Sequence, residues 1–293
     1  MIVIEPIPVT SSVLASTNVP ASETPYLPGG VYALGQIVES GNLLYESMVA
    51  ANSGNPLTDS TKWLLRGASN RYKMFDAFNN TQTTNPESIV VSLNPVLIAN
   101  GFFIGGADAD SFTVTVTDAI DGVVFSETQS LIQSNSASSF FNWCFKRIAR
   151  RTAAVLLTLP MYAGATITIS IDKPGGIAKC GMCVVGPIVD IGLSTYGIST
   201  DIKDFSTTQF NADGTSKTVE RDFAKRMSIE VQLENDVIDV VQETLAAYRQ
   251  RPVVWVGVVR HKSTIVYGKY SSFKNVIPNL NRSRMALQIE GMI

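Results

Sequence analysis

Residues 111–118 read SFTVTVTD, and this octapeptide decides the class of the fold. Phe112, Val114 and Val116 alternate with three threonines. In an extended strand the apolar side chains therefore share one face and the polar side chains the other. Residues 165–172, ATITISID, repeat the pattern with isoleucine. A period of two with one apolar face indicates antiparallel sheets that bury one face and expose the other, so the chain is predicted to be mainly β.

Further short apolar runs flank this octapeptide. They are residues 88–93, 101–106, 123–131, 153–159 and 178–186. Asp121-Gly122 and Pro174-Gly175-Gly176 are typical hairpin turns and separate neighbouring runs. About seven short strands at this spacing predict an antiparallel, jelly-roll-like β-sandwich over residues 68–190.

The stretch before the sandwich, residues 25–67, consists of short apolar runs between turns at Gly41-Asn42 and Gly54-Asn55-Pro56. Three short strands in so small a unit enclose little core, so a few aromatic side chains must supply most of the buried area. The stretch is therefore predicted to form a small three-stranded domain.

This stretch contains an aromatic residue, Y-x-x-G-x-x-V, a Gly-Asn turn, a tyrosine, and then proline and tryptophan. The pattern resembles the small carbohydrate-binding modules of chitinases and cellulases, in which exposed rings stack on the apolar face of a sugar. The resemblance implies Tyr26, Tyr32 and Trp63 as carbohydrate-binding candidates, with Tyr45 and Trp63 at structural ring positions of the motif. Met48-Val49-Ala50 stands where the family has bulky aromatics. A structural spacer that has lost sugar binding is therefore the alternative.

Residues 67–76, GASNRYKMFD, follow directly. A small module followed by G-x-x-N-R-(aromatic)-x-M-F-D resembles tail and baseplate proteins of tailed bacteriophages, where the phrase introduces a galactose-binding-like β-sandwich. The resemblance implies a structural protein of the virion tail, made in the host cytoplasm, that associates with itself and with other tail proteins. Arg71 and Asp76 are expected to form an ion pair that fastens the module to the sandwich, or else to be solvated.

The N-terminal segment, residues 1–24, is rich in Pro, Ser and Thr and is predicted to be an extended arm. Ile2-Val3-Ile4 is too apolar for a solvated tail. We therefore expect the arm to add a strand to the edge of a neighbouring sheet.

The glycines in residues 186–196 predict a linker to a C-terminal region, residues 191–293. Asn235 or Asp236 is expected to cap an amphipathic helix over residues 237–249. Its apolar stripe, which we expect to pack on a sheet, consists of Val237, Val240, Val241, Leu245 and Tyr248. Strands are predicted within residues 217–233, 253–259, 263–276 and 283–291. This order predicts an α+β docking domain whose last strand fixes the C-terminus.

The net charge of −2 argues against a general nucleic-acid-binding protein, which needs a basic surface to release counterions. Only residues 146–151, KRIARR, are locally basic. The N-terminus lacks the basic start of a signal peptide, and the most apolar stretch, residues 152–171, is broken by Pro160 and Gly164. No membrane span is therefore predicted.

The three cysteines are Cys144, Cys180 and Cys183, and His261 is the only histidine. One C-x-x-C without a second pair of ligands does not make a zinc site, so ordinary buried thiols are expected. No metal or cofactor is predicted.

No catalytic motif is present, and His261 lies in a polar turn between predicted strands. Glycoside hydrolysis needs two carboxylates across a cleft, and calcium needs several oxygen ligands. The carboxylate candidates are Asp108, Asp110, Asp118, Asp121, Asp201 and Asp204. Turn formation is the commoner role of such aspartates. Residues 140–143, FFNW, form an exposed ligand platform, a plug under a loop, or a patch against a partner.

The preferred hypothesis is a non-enzymatic structural component of a phage tail tip or baseplate, with bacterial surface glycan as a further ligand. A dedicated glycan-binding, receptor-binding protein is the first alternative. A polysaccharide depolymerase is the second.

Overall fold

The computed structural model of the chain describes residues 1–133, 140–145, 150–211 and 213–292. Strands account for 52% of the residues and helices for 8%, so the chain belongs to the mainly β class that the alternating octapeptides predict. Within these ranges the sheets are antiparallel apart from one short parallel pairing in the small module.

The strands, numbered in chain order, are β1 (Ile2–Ile4), β2 (Leu14–Thr17), β3 (Thr24–Pro25), β4 (Val31–Tyr32), β5 (Ile37–Ser40), β6 (Leu43–Ser47), β7 (Asn52–Ser53), β8 (Trp63–Ala68), β9 (Thr83–Leu93), β10 (Gly101–Gly105), β11 (Ser111–Asp118), β12 (Gly122–Ser130), β13 (Ala154–Leu156), β14 (Thr166–Cys180), β15 (Met182–Gly186), β16 (Ile188–Asp190), β17 (Leu193–Ser194), β18 (Ser199–Asp204), β19 (Thr207–Phe210), β20 (Ser216–Val219), β21 (Phe223–Glu234), β22 (Val253–Val256), β23 (Ile265–Val276) and β24 (Arg282–Gly291). The helices are α1 (Phe140–Phe145) and α2 (Ile238–Ala247), and short 3-10 turns cover Lys73–Phe75, Asn235–Val237 and Lys262–Thr264.

The predicted β-sandwich consists of a five-stranded and a three-stranded sheet. The strand orders are β12-β11-β14-β9-β2 and β13-β10-β15. Phe112, Val114 and Val116 of β11 are buried in the core between the two sheets, and the threonines between them lie on the outer face. The alternation in the sequence therefore follows directly from one buried and one wet face.

The three-stranded sheet is buried on both faces, because a third layer covers it. Phe102 and Ile104 of β10 point into the sandwich core. Phe103 points the other way and packs with Ile4 and Val254 in a second core against the C-terminal sheet. This position explains why β10, β13 and β15 are uninterrupted apolar runs without alternation.

The third layer is an eight-stranded sheet with the order β16-β1-β22-β23-β24-β21-β17, and β18 also pairs with β21. Helix α2 packs on its far face through Val241, Leu245 and Tyr248, as expected. Two details of the helix prediction are wrong. Val237 and Val240 are exposed. Ile238 is buried instead, because a 3-10 turn over Asn235–Val237 precedes the helix and shifts the buried stripe.

The expected helix cap is also absent, since no side chain caps the start of α2. Asn235 bonds to the neighbouring β23–β24 connection instead. Its amide nitrogen donates to the Asn279 carbonyl at 2.8 Å, and its amide oxygen accepts from the Ser283 hydroxyl at 2.6 Å. Asn235 therefore ties the helix start to the sheet.

The N-terminal arm pairs within its own chain. β1 lies inside the eight-stranded sheet, between β16 and β22, and not at the edge of a neighbouring sheet as the sequence suggests. β2 pairs with β9 at the edge of the five-stranded sheet. Between them the arm crosses Gly186, where an added Cβ would lie 1.7 Å from the Glu5 carbonyl oxygen. The arm therefore joins the sandwich to the C-terminal sheet.

Two further expectations about turns and linkers are wrong. Pro174-Gly175-Gly176 is not a hairpin turn but a bulge within β14, where the register against β9 shifts between Asp172 and Ile177. Residues 186–196, predicted to be a linker, contribute β16 and β17 to the eight-stranded sheet. In both cases the glycines accommodate local irregularity in paired strands.

The small module contains the three predicted antiparallel strands, β5, β6 and β8, and β3 adds a short parallel strand. A separate two-stranded pairing joins β4 and β7. Tyr32, Val38 and Trp63 form its core, and Tyr26 and Tyr45 pack at the margin. Aromatic side chains therefore do supply most of this small core.

Candidate functional sites

The three carbohydrate-binding candidates meet in one aromatic cluster. Tyr26 and Tyr32 stack with their ring centroids 5.8 Å apart. Trp63 meets both rings edge-on, at 5.6 Å from Tyr26 and 5.3 Å from Tyr32. Edge-to-face and offset-stacked pairs of this kind add to the stability that burial alone provides.

Each polar group of the cluster has a backbone partner. The Tyr26 hydroxyl and the Trp63 indole nitrogen both donate to the Asn55 carbonyl at 3.1 Å. The Tyr32 hydroxyl donates to the Leu27 carbonyl at 2.9 Å and accepts from the Leu27 N–H at 2.6 Å. The cluster thereby fixes the turn before β4 and the connection between β7 and β8.

Burial separates the roles of the three rings. Tyr32 and Trp63 are only 6% and 3% exposed, so neither has a free face on which a sugar could stack. Tyr26 is half-buried and keeps part of its ring in solvent. In this conformation, Tyr32 and Trp63 have a structural role, and sugar binding stays a prediction that depends on Tyr26.

The phrase that follows the module forms the junction with the sandwich. The Asn70 amide nitrogen donates to the Thr84 carbonyl at 2.9 Å, and its oxygen accepts from the Thr84 N–H at 3.0 Å. Tyr72 and Met74 are buried, and Met74 belongs to the sandwich core. The residues of this phrase therefore have structural roles at a domain junction.

The expected ion pair between Arg71 and Asp76 is not formed. The Arg71 guanidinium donates to the Val19 carbonyl at 2.9 Å, which holds the arm against the junction. Asp76 accepts hydrogen bonds from the Thr81 hydroxyl at 2.6 Å and from the Phe78 N–H at 2.9 Å. Both side chains therefore satisfy backbone and turn groups and do not meet each other.

The carboxylate candidates for which the structure gives contacts are engaged in ion pairs and turns, and Asp118 and Asp121 share one turn. Asp108 pairs with Lys173 at 2.7 Å, and Asp110 pairs with Arg150 at 2.8 Å. Asp118 accepts backbone N–H bonds within its own turn, and these bonds lower its pKa. Hydrogen bonds from Ser206 likewise lower the pKa of Asp204. Asp118 and Asp204 therefore fit the turn-forming role.

The described thiols are buried in the sandwich core. Cys180 and Cys183 are unpaired, and burial raises the pKa of Cys180 to about 12 and that of Cys183 well above its usual value. Both are expected to be unreactive in the folded chain, because the thiolate is the nucleophile. The side chains of Trp143 and Cys144 lie outside the described residues.

No metal centre is formed by the described residues, since no three His, Cys, Asp or Glu side chains among them lie together. His261 is exposed in the turn before β23, as expected for a loop histidine. Across the described ranges, no helix is both long enough and apolar enough to cross a bilayer.

Three exposed apolar surfaces stand out. The first is the ribbon, β19 and β20 with the flanking residues of β18 and β21, which exposes Ile202, Phe210, Val219 and Phe223. The second is on loops at one end of the sandwich and exposes Val96, Leu97, Ile98, Ile120, Met161 and Tyr162. The third is helix α1, which exposes Phe140, Phe141 and Phe145.

The sequence reasoning had singled out only the third of these surfaces. Of its three alternatives for residues 140–143, a plug under a loop does not describe Phe140 and Phe141, whose side chains are exposed. Most of the basic run beside it, residues 146–149, lies outside the described residues. A signal for the second surface was present in residues 95–99, PVLIA, an apolar run without alternation.

The chain was compared with protein-family models and with curated proteins. No family model matches it, and no curated protein matches it. A function for the chain is therefore argued from its own surfaces and contacts.

Proposed function

We propose that the chain is a non-enzymatic structural component of a bacteriophage tail tip or baseplate. It is made in the host cytoplasm, assembles with itself and with other tail proteins, and becomes part of the virion. The support comes from the order of a small aromatic module, the junction phrase and a β-sandwich, together with surfaces that are suited to docking.

The observation that carries the proposal is the ribbon. Every described residue from Thr207 to Phe223 is exposed, so neither face of this two-stranded extension packs on the rest of the chain. A two-stranded hairpin is marginally stable in water on its own. Phe210 and Phe223 nevertheless present aromatic rings to solvent there. Such an element suits a chain whose ribbon is covered by a neighbouring protein.

The composition of the chain agrees with a largely covered surface. Charged residues make up 16% of the sequence, which is low for a soluble domain. The centres of protein interfaces are depleted in charge and enriched in aromatic residues. Of the exposed surfaces described above, the loop segments of residues 94–100 and 157–165 contain no charged residue and so share the low charge of an interface centre.

Immunogold labelling of phage particles tests the location. An antibody raised against the full chain is expected to label the distal end of the tail. Labelling of unassembled protein without labelling of the phage particles would contradict the proposal.

A variant pair tests the ribbon. Ile202→Asp combined with Phe210→Asp is expected to fold normally but to be excluded from tails when it replaces the native chain during phage production. Ile277→Asp is the matched control, because Ile277 is as exposed as Ile202 but lies outside the ribbon. Normal incorporation of the ribbon variant would remove the ribbon from the proposal.

A second function, dedicated glycan binding, is favoured by one observation. The half-buried Tyr26 lies in a module that also exposes Leu27, Val31 and Leu34, so an apolar surface remains for a sugar face. Saturable binding of the full chain to insoluble chitin or to bacterial surface polysaccharide, lost in Tyr26→Ala and retained in Tyr26→Phe, would support it. Binding that Tyr26→Ala leaves unchanged would contradict it.

A further inference from the structure

The second apolar surface gathers three loops at one end of the sandwich. Ile167 in β14 lies opposite both Leu93 at the end of β9 and Val116 near the end of β11. The connections that follow β9, follow β11 and precede β14 therefore leave the sheet at the same end. A hydrogen bond of 2.9 Å from the Thr166 hydroxyl to the Asn94 side chain joins two of them. We name this surface the loop end.

The loop end is apolar and acidic. Its residues 94–100, 118–122 and 157–165 contain Asp118 and Asp121 but no lysine or arginine. Ile120 is 93% exposed and Val96 is 88% exposed. Large apolar side chains that are exposed to solvent on three adjacent loops form a surface that a partner can cover.

The aromatic helix is inserted in a connection that leaves the opposite end of the sandwich. β11 has eight residues and so extends about 26 Å away from the loop end. At its far end Ile132 pairs with Arg150, and the chain segment between these two residues contains α1. Phe141 and Phe145 are 67% and 72% exposed, and their ring centroids are 4.8 Å apart.

The same end carries unpaired positive charge. The Arg151 N–H donates to the Leu131 carbonyl at 2.7 Å, which places Arg151 where the chain returns from α1. Lys262 lies close to it, because the Lys262 ammonium donates to the carbonyl of Ala153, two residues after Arg151, at 3.0 Å. Within the described part of the chain, neither side chain has an ion-pair partner. We name this surface, with Phe141 and Phe145, the aromatic end.

We propose that copies of this chain contact one another head to tail, with the loop end of one copy on the aromatic end of the next. Both surfaces expose large apolar side chains, and their charges outside the ion pairs of the described residues are opposite, with Asp118 and Asp121 on one and Arg151 and Lys262 on the other. They lie at opposite ends of one sandwich, so they cannot cover each other within a single chain. A contact between two different surfaces produces a closed ring or an open filament.

This inference rests on the proposed function, since both require self-association, but it specifies the surfaces. Sedimentation velocity of the full chain tests it. Ile120→Glu with Val96→Glu disables the loop end, and Phe141→Glu with Phe145→Glu disables the aromatic end. Each pair is expected to raise the dissociation constant at least about tenfold. Leu280→Glu is the matched control, because Leu280 is 94% exposed in the β23–β24 connection of the C-terminal sheet.

Mixing the two disabled chains gives the sharper test. One chain retains only its aromatic end and the other only its loop end, so a one-to-one mixture is expected to form dimers that grow no further. Circular dichroism of each variant checks that it is folded.

Two outcomes would overturn the inference. If the native chain assembles but both variants assemble equally well, the head-to-tail contact is wrong while the proposed function stands. If the native chain stays monomeric at all concentrations, the head-to-tail contact is wrong and so is the self-association in the proposed function. Binding of a monomeric native chain to phosphatidylglycerol vesicles, lost on Ile120→Glu, would assign the loop end to a lipid surface and also overturn the inference.

Discussion

Val3 lies directly opposite Trp255 where β1 pairs with β22, so the start of the chain and its last quarter form one sheet. Trp255 is fully buried, and its indole nitrogen donates to the Gly268 carbonyl at 2.9 Å. The next residue, Ile4, points to the other face and packs with Phe103 of the sandwich. The first strand is therefore part of two cores.

Ile4→Ala is expected to lower the free energy of unfolding of the whole chain by about 2–5 kcal/mol, as for other buried isoleucines. The side chain is fully buried between the three-stranded and eight-stranded sheets, so its loss leaves a cavity. Urea unfolding followed by circular dichroism measures the change. Ile120→Ala removes the same atoms from an exposed position and should change stability by less than about 0.5 kcal/mol. Equal effects of the two substitutions would contradict the placement of β1.

Trp63→Ala is expected to unfold the small module while leaving the sandwich intact. Removal of a buried tryptophan costs about 3–5 kcal/mol, which is a large share of the stability of so small a core. Hydrogen exchange should accelerate in residues 25–67 and stay unchanged in Ser111–Asp118. Leu65→Ala, at an exposed position of the same strand, serves as the control. Slow exchange throughout the Trp63 variant would show that the cluster is not the module core.

Asn70→Ala is expected to destabilise the junction by about 1–3 kcal/mol, because it leaves the N–H and C=O of Thr84 without their partner. Asn70→Asp retains an acceptor for the N–H but loses the donor to the carbonyl. It should therefore also be destabilising. Thermal unfolding measures both, with Asn80→Ala as an exposed control. Unchanged stability of Asn70→Ala would contradict the bridging role.

Stability is expected to fall at alkaline pH. Burial, followed by the charge of Asp76, raises the pKa of Tyr267 to about 12, and burial with the charge of Glu5 raises that of Tyr248 to about 12. An unfolded tyrosine titrates near 10. The folded chain therefore holds these protons longer, so their contribution is fully present below about pH 10 and is lost as pH rises towards 12.

Urea unfolding at several pH values between about 9 and 11 checks this dependence. Tyr267→Phe should flatten the decline, whereas Tyr196→Phe should not, because Tyr196 is exposed. A decline that Tyr267→Phe leaves unchanged would assign the alkaline loss to other groups.

The class of the fold could be predicted from the sequence because alternation is a local signal. Residues 111–118 and 165–172 reveal their buried faces without knowledge of their partners. The position of β1 could not be predicted, because pairing between residues far apart in the chain leaves no local pattern. Pro174-Gly175-Gly176 was wrongly predicted to be a hairpin turn for a related reason. Turns and bulges both use glycine, and only the partner strand distinguishes them.

The aromatic cluster was predicted in part. The motif brought Tyr26, Tyr32 and Trp63 together, and the structure places them within one core. Which ring keeps a face in solvent depends on how strands of two to six residues fold over one another, and their sequence does not encode it. The loop end was missed because its residues come from three separate connections.

The order in which the chain leaves the ribosome gives the position of β1 a further consequence. Ile2–Ile4 emerges well before its two partners, Ile188–Asp190 and Val253–Val256. Until then the outward side of the three-stranded sheet has no cover, and a nascent chain exposes Phe103 and Val184 to solvent. Translation products truncated before these partner strands should therefore aggregate or depend on chaperones, whereas in the folded chain Ile2–Ile4 and its partners cover this face.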